Sequence, residues 1–498
     1  GWWSYGPGGD AGQTGVVSSG SSEAAGPAPA GRLRPRPVDV LRLWQRGIQV
    51  VVRAARAEPQ ASVSMLLGAH LGAQASSWPV VADEWAEYDH VNVQAALDVW
   101  LADPSRKWSL FGLTNFQRRD LSLGDLLVEQ PHFQQQVGSV AMVDLPAGPD
   151  GEVRTCVRCG LWLFEEASER WALLLWLNEH GPGGTRVRLE ILRADAARAS
   201  DTLAQLRRLA LEHNLYRGQV VGFGDEMFGP HGAGLSFLRR PQLAAHELVL
   251  ADGVLELVER QVLGIARQRE QLLAGGQHLK RGVLLHGPPG SGKTQTVRYL
   301  LGRLQGVTVV VLSGRALHAI REACSIARAL APAAIVVEDV DLIAEDRGPM
   351  PGTHPLLFQL LNEMDGLGED VDVAFILTTN RADLLEPALA DRPGRVDQAV
   401  NIALPDLDGR RRLLELYRGQ LDVRADLKPV LQRTEGVTAS FLKELMRRCA
   451  LAAAEERATN TNNAPLVIED RHLQAALDEL LDDRHQLTRS IIGGATPQ

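Results

Sequence analysis

The chain predicts an α/β fold: a doubly wound parallel sheet with a C-terminal helical lid, preceded by an α+β N-terminal domain. Three observations carry this. Past Pro241 short apolar runs alternate with amphipathic stretches, the pattern of parallel strands joined by crossover helices. After Pro405 the apolar spacing turns helical and stays so to about Asp483. Upstream, the runs Val137 to Leu145, Val153 to Phe164, Trp171 to Leu177 and Val187 to Leu192 follow one another across Pro146-Ala-Gly-Pro-Asp-Gly, Glu165-Glu-Ala-Ser and Glu179-His-Gly-Pro-Gly-Gly, which reads as an antiparallel meander.

At 498 residues the chain is long enough for about three domains. It is 45% hydrophobic and 23% charged with a net charge of −9, so no global basic excess points to nucleic acid. Arg carries almost all the positive charge, since Lys107, Lys280, Lys293, Lys428 and Lys443 are the only lysines. With abundant Ala and Gly, this suggests a GC-rich, bacterial source. No stretch approaches the ~18 apolar residues a membrane span requires, and no signal peptide is recognisable ahead of the segment that opens at Gly1. Four cysteines, of which only Cys156 and Cys159 are close in sequence, argue against a disulfide scaffold and for a reducing cytoplasm. Cys156-Val-Arg-Cys159 lies inside a strand pattern, and no second pair completes a zinc site. Alternation on a strand sends the two thiols to opposite faces, so they read as strand residues.

Residues 1–37 form a Gly/Ser/Pro-rich tail of a composition that stays disordered, interrupted by Trp2, Trp3 and Tyr5. From Val38 the spacing of Leu41, Leu43, Trp44 and Ile48 is helical, and further helices are expected near Val91 to Leu101 and Ala196 to His213. Residues 38–240 are read as one α+β domain for partner recognition, 241–402 as the large α/β unit, 403–484 as the lid and 485–498 as a tail.

The chemistry begins at Gly282-Val-Leu-Leu-His286, a short apolar strand followed at once by Gly287-Pro288-Pro289-Gly290-Ser291-Gly292-Lys293-Thr294 and a helix to about Leu304. This is G-x-x-x-x-G-K-[ST] in its strand–loop–helix setting, a phosphate-binding P-loop. Gly287, Gly290 and Gly292 let the backbone turn its N–H groups inward, and the helix N-terminus adds partial positive charge. Lys293 is expected to reach the β- and γ-phosphates of ATP, and the Thr294 hydroxyl to bind Mg²⁺.

Downstream, Ala334-Ile-Val-Val-Glu338-Asp339-Val-Asp341 makes a buried strand that delivers carboxylates at its C-terminal end, the edge where ligands bind in open α/β sheets. One carboxylate serves Mg²⁺ and a second orients the attacking water. Glu338 and Asp339 are the candidates, each within reach of the metal. A third strand, Val373-Ala-Phe-Ile-Leu, ends in Thr378-Thr-Asn380, placing an amide at the same edge.

Taken together these residues resemble the AAA family of ATPases over about Pro241 to Asp483. Leu360-Leu-Asn-Glu-Met-Asp-Gly-Leu367 is similar to the family's LLxxMDG helix, and Leu385-Glu-Pro-Ala-Leu389 with Arg392-Pro-Gly-Arg395-Val-Asp397 to its second region of homology. The resemblance implies that Asn380 is sensor 1. It implies that Arg392 and Arg395 are arginine fingers acting on a neighbouring subunit, hence a homo-oligomer, usually a hexamer. Thr434-Glu-Gly-Val-Thr-Ala439-Ser440-Phe-Leu442 is similar to TEGFSGADL, which sets Ala439 and Ser440 near the base or ribose. Two departures stand out. The family's strand-end order is Asp then Glu, so Asp339 holds the place of the catalytic base with one methylene less. Between Ser313 and Arg321 the chain reads Gly-Arg-Ala-Leu-His-Ala-Ile, without the family's aromatic pore loop.

The sequence therefore predicts a cytoplasmic, ATP- and Mg²⁺-dependent ATPase, a ring that remodels an unidentified protein client, with neither nucleic acid nor membrane as partner. Its rivals are a slow nucleotide-dependent switch or scaffold, and a nucleic-acid remodeller, for which no basic face is visible.

Overall fold

The computed structural model describes residues 62–482 except 115–121, 129–134, 167–168, 179–183, 224–234, 343–354, 367, 369–370, 384, 386–395 and 458–465. The N-terminal tail, the helical spacing from Val38, the C-terminal tail and both arginine-finger candidates, Arg392 and Arg395, lie outside the described residues.

The N-terminal unit runs α1 (Val63–Leu71), β1 (Val80–Ala86), α2 (His90–Leu101), β2 (Lys107–Leu113), α3 (Leu123–Leu127), β3 (Val137–Gly138), β4 (Ala141–Pro146), β5 (Val153–Glu166), β6 (Glu169–Asn178), β7 (Arg186–Leu192) and α4 (Ala196–Glu212). Its sheet has the order β1-β7-β6-β5-β2-β3, with β4 also paired to β5. The consecutive antiparallel pairs β4·β5, β5·β6 and β6·β7 are the meander the turn signals imply. Period-two alternation buries both faces. Trp162, Phe164, Trp171 and Leu173 pack against Leu97, Trp100 and Leu203 of α2 and α4. Leu161, Leu163 and Leu174 pack against Val63 and Leu67 of α1 and Leu123 of α3. Cys156 and Cys159 belong to different clusters, and burial pushes both thiols up to about 12. They are inert core residues.

The nucleotide-binding unit begins earlier than its composition suggests. After β8 (Val220–Phe223) and β9 (Leu235–Leu238) come α5 (Val254–Glu259), a π-helical turn (Arg260–Gly264), α6 (Ile265–Arg267) and α7 (Arg269–Ala274). Then follow β10 (Arg281–His286), α8 (Lys293–Arg303), β11 (Thr308–Leu312), α9 (Ile320–Ala329), β12 (Ala333–Val337), α10 (Pro355–Asp365), β13 (Val373–Thr379) and β14 (Gln398–Asn401). The sheet order is β14-β10-β13-β12-β11-β8-β9, parallel throughout except for the last pair. A boundary at 240/241 thus cuts two strands from the sheet to which they are hydrogen-bonded. Val220 pairs with Val309, and nothing local to the sequence marks so distant a partner. Alternate residues of each strand feed two layers. Val283, Val309, Val336 and Ile376 face α5 and α8. Leu284, Val310, Ile335 and Phe375 face α9 and α10.

The lid comprises α11 (Leu407–Arg418), β15 (Asp422–Val423), α12 (Lys428–Arg433), α13 (Ala439–Arg457), β16 (Val467–Ile468) and α14 (Asp470–Leu481). It has its own core around Leu414, Phe441, Leu445 and Leu477. Asp406 caps α11 by accepting from Gly409 N at 2.7 Å. The lid is not wholly helical, because β15 and β16 form a short parallel ladder that ties its two helical halves together. No described helix is long and apolar enough to cross a membrane.

Candidate nucleotide site

β10 ends at His286 and the chain enters the loop with Gly287, Gly290 and Gly292 all at positive φ. The loop touches the lid. A Cβ at Gly290 would lie 2.9 Å from Ser440 Oγ and 3.0 Å from Thr438 Oγ1, so glycine admits the lid to the phosphate loop. Ser440 N donates to Gly290 O at 3.3 Å, and Ala439 opens the lid helix α13 beside it. Pro288 and Pro289 are exposed on the rim, while Ser291 is buried with no hydrogen-bond partner for its hydroxyl among the described residues.

Lys293 opens α8 and is only 6% exposed. Its ammonium donates to Gly287 O and Pro288 O, each at 2.8 Å. Burial lowers its pKa to about 8, against the pull of Asp339 and Asp341. Thr294, next along, donates its hydroxyl to Glu338.

Glu338 and Asp339 leave the C-terminal end of β12 and diverge. Burial, and then neighbouring Asp339, raise the Glu338 pKa, while the Thr294 bond opposes them. Asp339 has φ 53°, in the left-handed region that Asp tolerates better than most residues. Two bonds hold it there: its N–H donates to Thr378 Oγ1 at 3.1 Å, and Asn380 Nδ2 donates to its Oδ1 at 3.4 Å. Burial and the nearby Asp341 raise its pKa, while Lys293 and Asn380 act the other way.

The structure thus brings Lys293, Thr294, Glu338, Asp339 and Asn380 to one sheet edge. It adds two residues that sequence reasoning did not select. Asp341 accepts from Thr379 Oγ1 at 2.8 Å and from Asn380 N at 3.2 Å, fixing the turn that presents the amide. Thr378 supports Asp339 as described. Asp341 lay within the acidic run that drew attention, but only pairing with the β13 terminus gives it a role. Asp397, the last residue of the Arg-Pro-Gly-Arg-Val-Asp run, accepts from Gly282 N at 2.7 Å and so anchors that segment to β10.

A Mg²⁺ ion fits this donor set. The Thr294 hydroxyl and Glu338 carboxylate are adjacent oxygen donors, and Mg²⁺ takes one or two such ligands beside phosphates and water. The described residues contain no group of three or more His, Cys, Asp or Glu suited to holding a metal by themselves.

A parallel sheet, a P-loop opening α8, carboxylates at the next strand end and a helical lid over the loop define a P-loop nucleotide-binding domain. Residues 283–404 match the family described as ATPase family associated with various cellular activities (AAA). The chain thus carries an AAA ATPase domain over those residues. It is similar to the ATP-dependent zinc metalloprotease FtsH of Rhodococcus erythropolis, 31% identical over 291 residues, which are 55% of this chain and 32% of that protein. It is also similar to the ATP-dependent zinc metalloprotease FtsH 2 of Sphaerobacter thermophilus, 35% identical over 302 residues, 56% of this chain and 46% of that protein. To FtsH of Mycobacterium tuberculosis it is 34% identical over 247 residues, 46% of this chain and 31% of that protein. The chain therefore spans less than half the length of these curated relatives. Its 498 residues carry no His-Glu-x-x-His run, the zinc-protease signature on a helix.

Proposed function

We propose that this chain is an ATP-hydrolysing AAA motor that assembles as a ring, in the simplest case a hexamer, in the bacterial cytoplasm and remodels a protein partner. The carrying observation is the convergence of Lys293, Thr294, Glu338, Asp339 and Asn380 around the P-loop. Lys293 exchanges its loop carbonyls for the β- and γ-phosphates, regaining a full charge partner. Thr294 and Glu338 hold Mg²⁺, which when bound neutralises phosphate charge. Asp339 accepts the proton of the attacking water, oriented by Asn380. Ala439 and Ser440 close the lid side near base and ribose. Arg392 and Arg395 of a neighbouring subunit supply positive charge to the transferring phosphoryl group. The domain before β8 selects the client.

Threading of a polypeptide through the ring is not part of this reading. Between β11 and α9 the chain forms a 3₁₀ turn, Gly314–Ala319. Its Ala316, Leu317 and Ala319 are 2%, 3% and 1% exposed, so the segment's apolar groups face the core rather than a pore. A slow nucleotide switch is the second reading, favoured by the short Asp339 side chain held at left-handed φ. Steady-state turnover separates the two: a motor is expected at about 1 s⁻¹ or faster. Mixing tests the ring. An Arg392→Ala, Arg395→Ala double variant is expected to bind ATP, hydrolyse it poorly, and depress wild-type activity more than dilution does. Strictly proportional dilution would exclude fingers acting between subunits.

A further inference from the structure

Arg240, just beyond β9, donates to four backbone carbonyls from three separate places in the sheet and its helices. One terminal nitrogen reaches Leu301 O and Leu304 O, both at 2.7 Å. The other reaches Gly218 O and Val307 O, both at 3.0 Å. Leu301 and Leu304 close the C-terminal end of α8, whose carbonyls have no helical partner and whose dipole favours a cation. Gly218 precedes β8 and Val307 precedes β11. Among the described residues its hydrogen bonds go to these four backbone carbonyls and to no carboxylate, and burial lowers its pKa from the usual value.

A second observation places the same segment against the same helix. A Cβ at Gly302 would lie 2.7 Å from Pro241 O, so the chain leaving Arg240 crosses α8 in direct contact. Around this crossing the N-terminal unit is firmly attached. Gly218 N donates to the fully buried Thr308 Oγ1 at 3.0 Å, and that hydroxyl donates to Leu330 O at 3.2 Å. Val91, Leu145, Cys156 and Tyr216 share one apolar cluster with Leu317, Ile320 and Cys324.

We propose that Arg240 is a positioning residue that clamps the phosphate-binding helix α8 to the segment by which the chain leaves the N-terminal unit and enters β8, so that nucleotide bound at one end of α8 is transmitted to this junction at the other. This rests on the reading that Lys293 and its loop bind ATP. α8 is roughly 16 Å long and rigid, with an anion expected at its N-terminus and Arg240 at its C-terminus. Only a planar fork satisfies four carbonyls at once; an ammonium has three donors. The Thr308 bonds and the shared apolar cluster fix the N-terminal unit to the large unit, and the Arg240 guanidinium with the Gly302 contact ties the end of α8 to that junction.

The test measures hydrogen exchange of the amides at 216–223 in the full chain, with and without a non-hydrolysable ATP analogue and Mg²⁺. Nucleotide affinity is measured in parallel with a fluorescent analogue. In the wild type, binding is expected to slow exchange there by about fivefold or more. Arg240→Ala is expected to keep nucleotide affinity within about fivefold, below the usual range of allosteric coupling, yet lose that response. Arg240→Lys is expected to restore part of it. Gly302→Ala is expected to lose it with every charge in place, and carries the test if Arg240→Ala does not fold. A wild-type response retained in Arg240→Ala, or in Gly302→Ala where Arg240→Ala does not fold, overturns the proposal, as does a wild type that binds nucleotide with no change at 216–223. A wild type that binds no nucleotide overturns the ATPase reading itself.

Discussion

The two ends of the β10–β13 strand pair hold their charges in opposite ways. At the N-terminal end Arg281 and Asp372, each 3% exposed, meet at 2.7 Å. The Arg281 Nη1 that meets Asp372 also donates to Leu279 O at 2.8 Å, and Nε donates to Val262 O, in the π-helical turn, at 3.2 Å. At the C-terminal end Lys293 donates, among the described residues, to two loop carbonyls, while Glu338 and Asp339 crowd one another and Asp339 crowds Asp341. Burial displaces the pKa of Lys293 downward and those of both carboxyls upward. The first set is a closely paired ion pair with backbone support and braces the fold. The second is short of partners, which is the condition of a site that awaits phosphate and a divalent cation.

The sharpest way to break this contrast is at Asp339. Asp339→Asn keeps the shape but cannot accept a proton, and turnover is expected to fall by about 10²–10⁴-fold with ATP still bound. Glu338→Gln is expected instead to raise the Mg²⁺ concentration needed for activity. Exchanged phenotypes would show the two roles reversed, and unchanged turnover in both would remove this strand end from the chemistry.

At the opposite end Asp372→Ala strands a buried guanidinium, and a loss of about 3–5 kcal/mol of stability is expected in denaturant titrations. Replacing both partners together, as Arg281→Met with Asp372→Leu, is expected to recover most of it. A double variant as unstable as the single one would mean that the guanidinium's bonds to Val262 and Leu279, not the ion pair, brace this end.

The gentlest test is pH. In the free protein Lys293 loses its proton as pH rises through about 8, below the ordinary 10.5, whereas bound phosphates favour the charged form. Nucleotide affinity is therefore expected to be flat below pH 8 and to weaken above it, by up to about tenfold per pH unit. The stability of the free protein carries the opposite sign. A lysine whose folded pKa is depressed costs most below pH 8, and the cost is relieved as pH rises towards the unfolded value. Nucleotide affinity constant from pH 7 to 9 would show that the ammonium is not the titrating phosphate partner.

Much of the site was legible because its information is local. Gly287 to Thr294 contains its own turn chemistry, its cation and its hydroxyl in eight consecutive residues, and a strand before and a helix after suffice to orient them. The strand-end carboxylates and Asn380 follow from apolar runs whose C-terminal ends must lie together in a parallel sheet. The meander of β4 to β7 was likewise written in alternation and turns. Pairing across long distances was not. β8 and β9 belong to the ATPase sheet because Val220 and Val221 meet Val309 and Val310, a choice among many possible edges that no local pattern records. Asp341 acquires its role only when Thr379 and Asn380 arrive beside it. Nothing local in the sequence singles out Arg240, and only the folded chain aims four carbonyls at it. Sequence determined which groups could do chemistry, since residue type and short spacing fix that. Tertiary structure decided which of them share an environment, because burial, strand edges and helix ends arise only when distant segments pack.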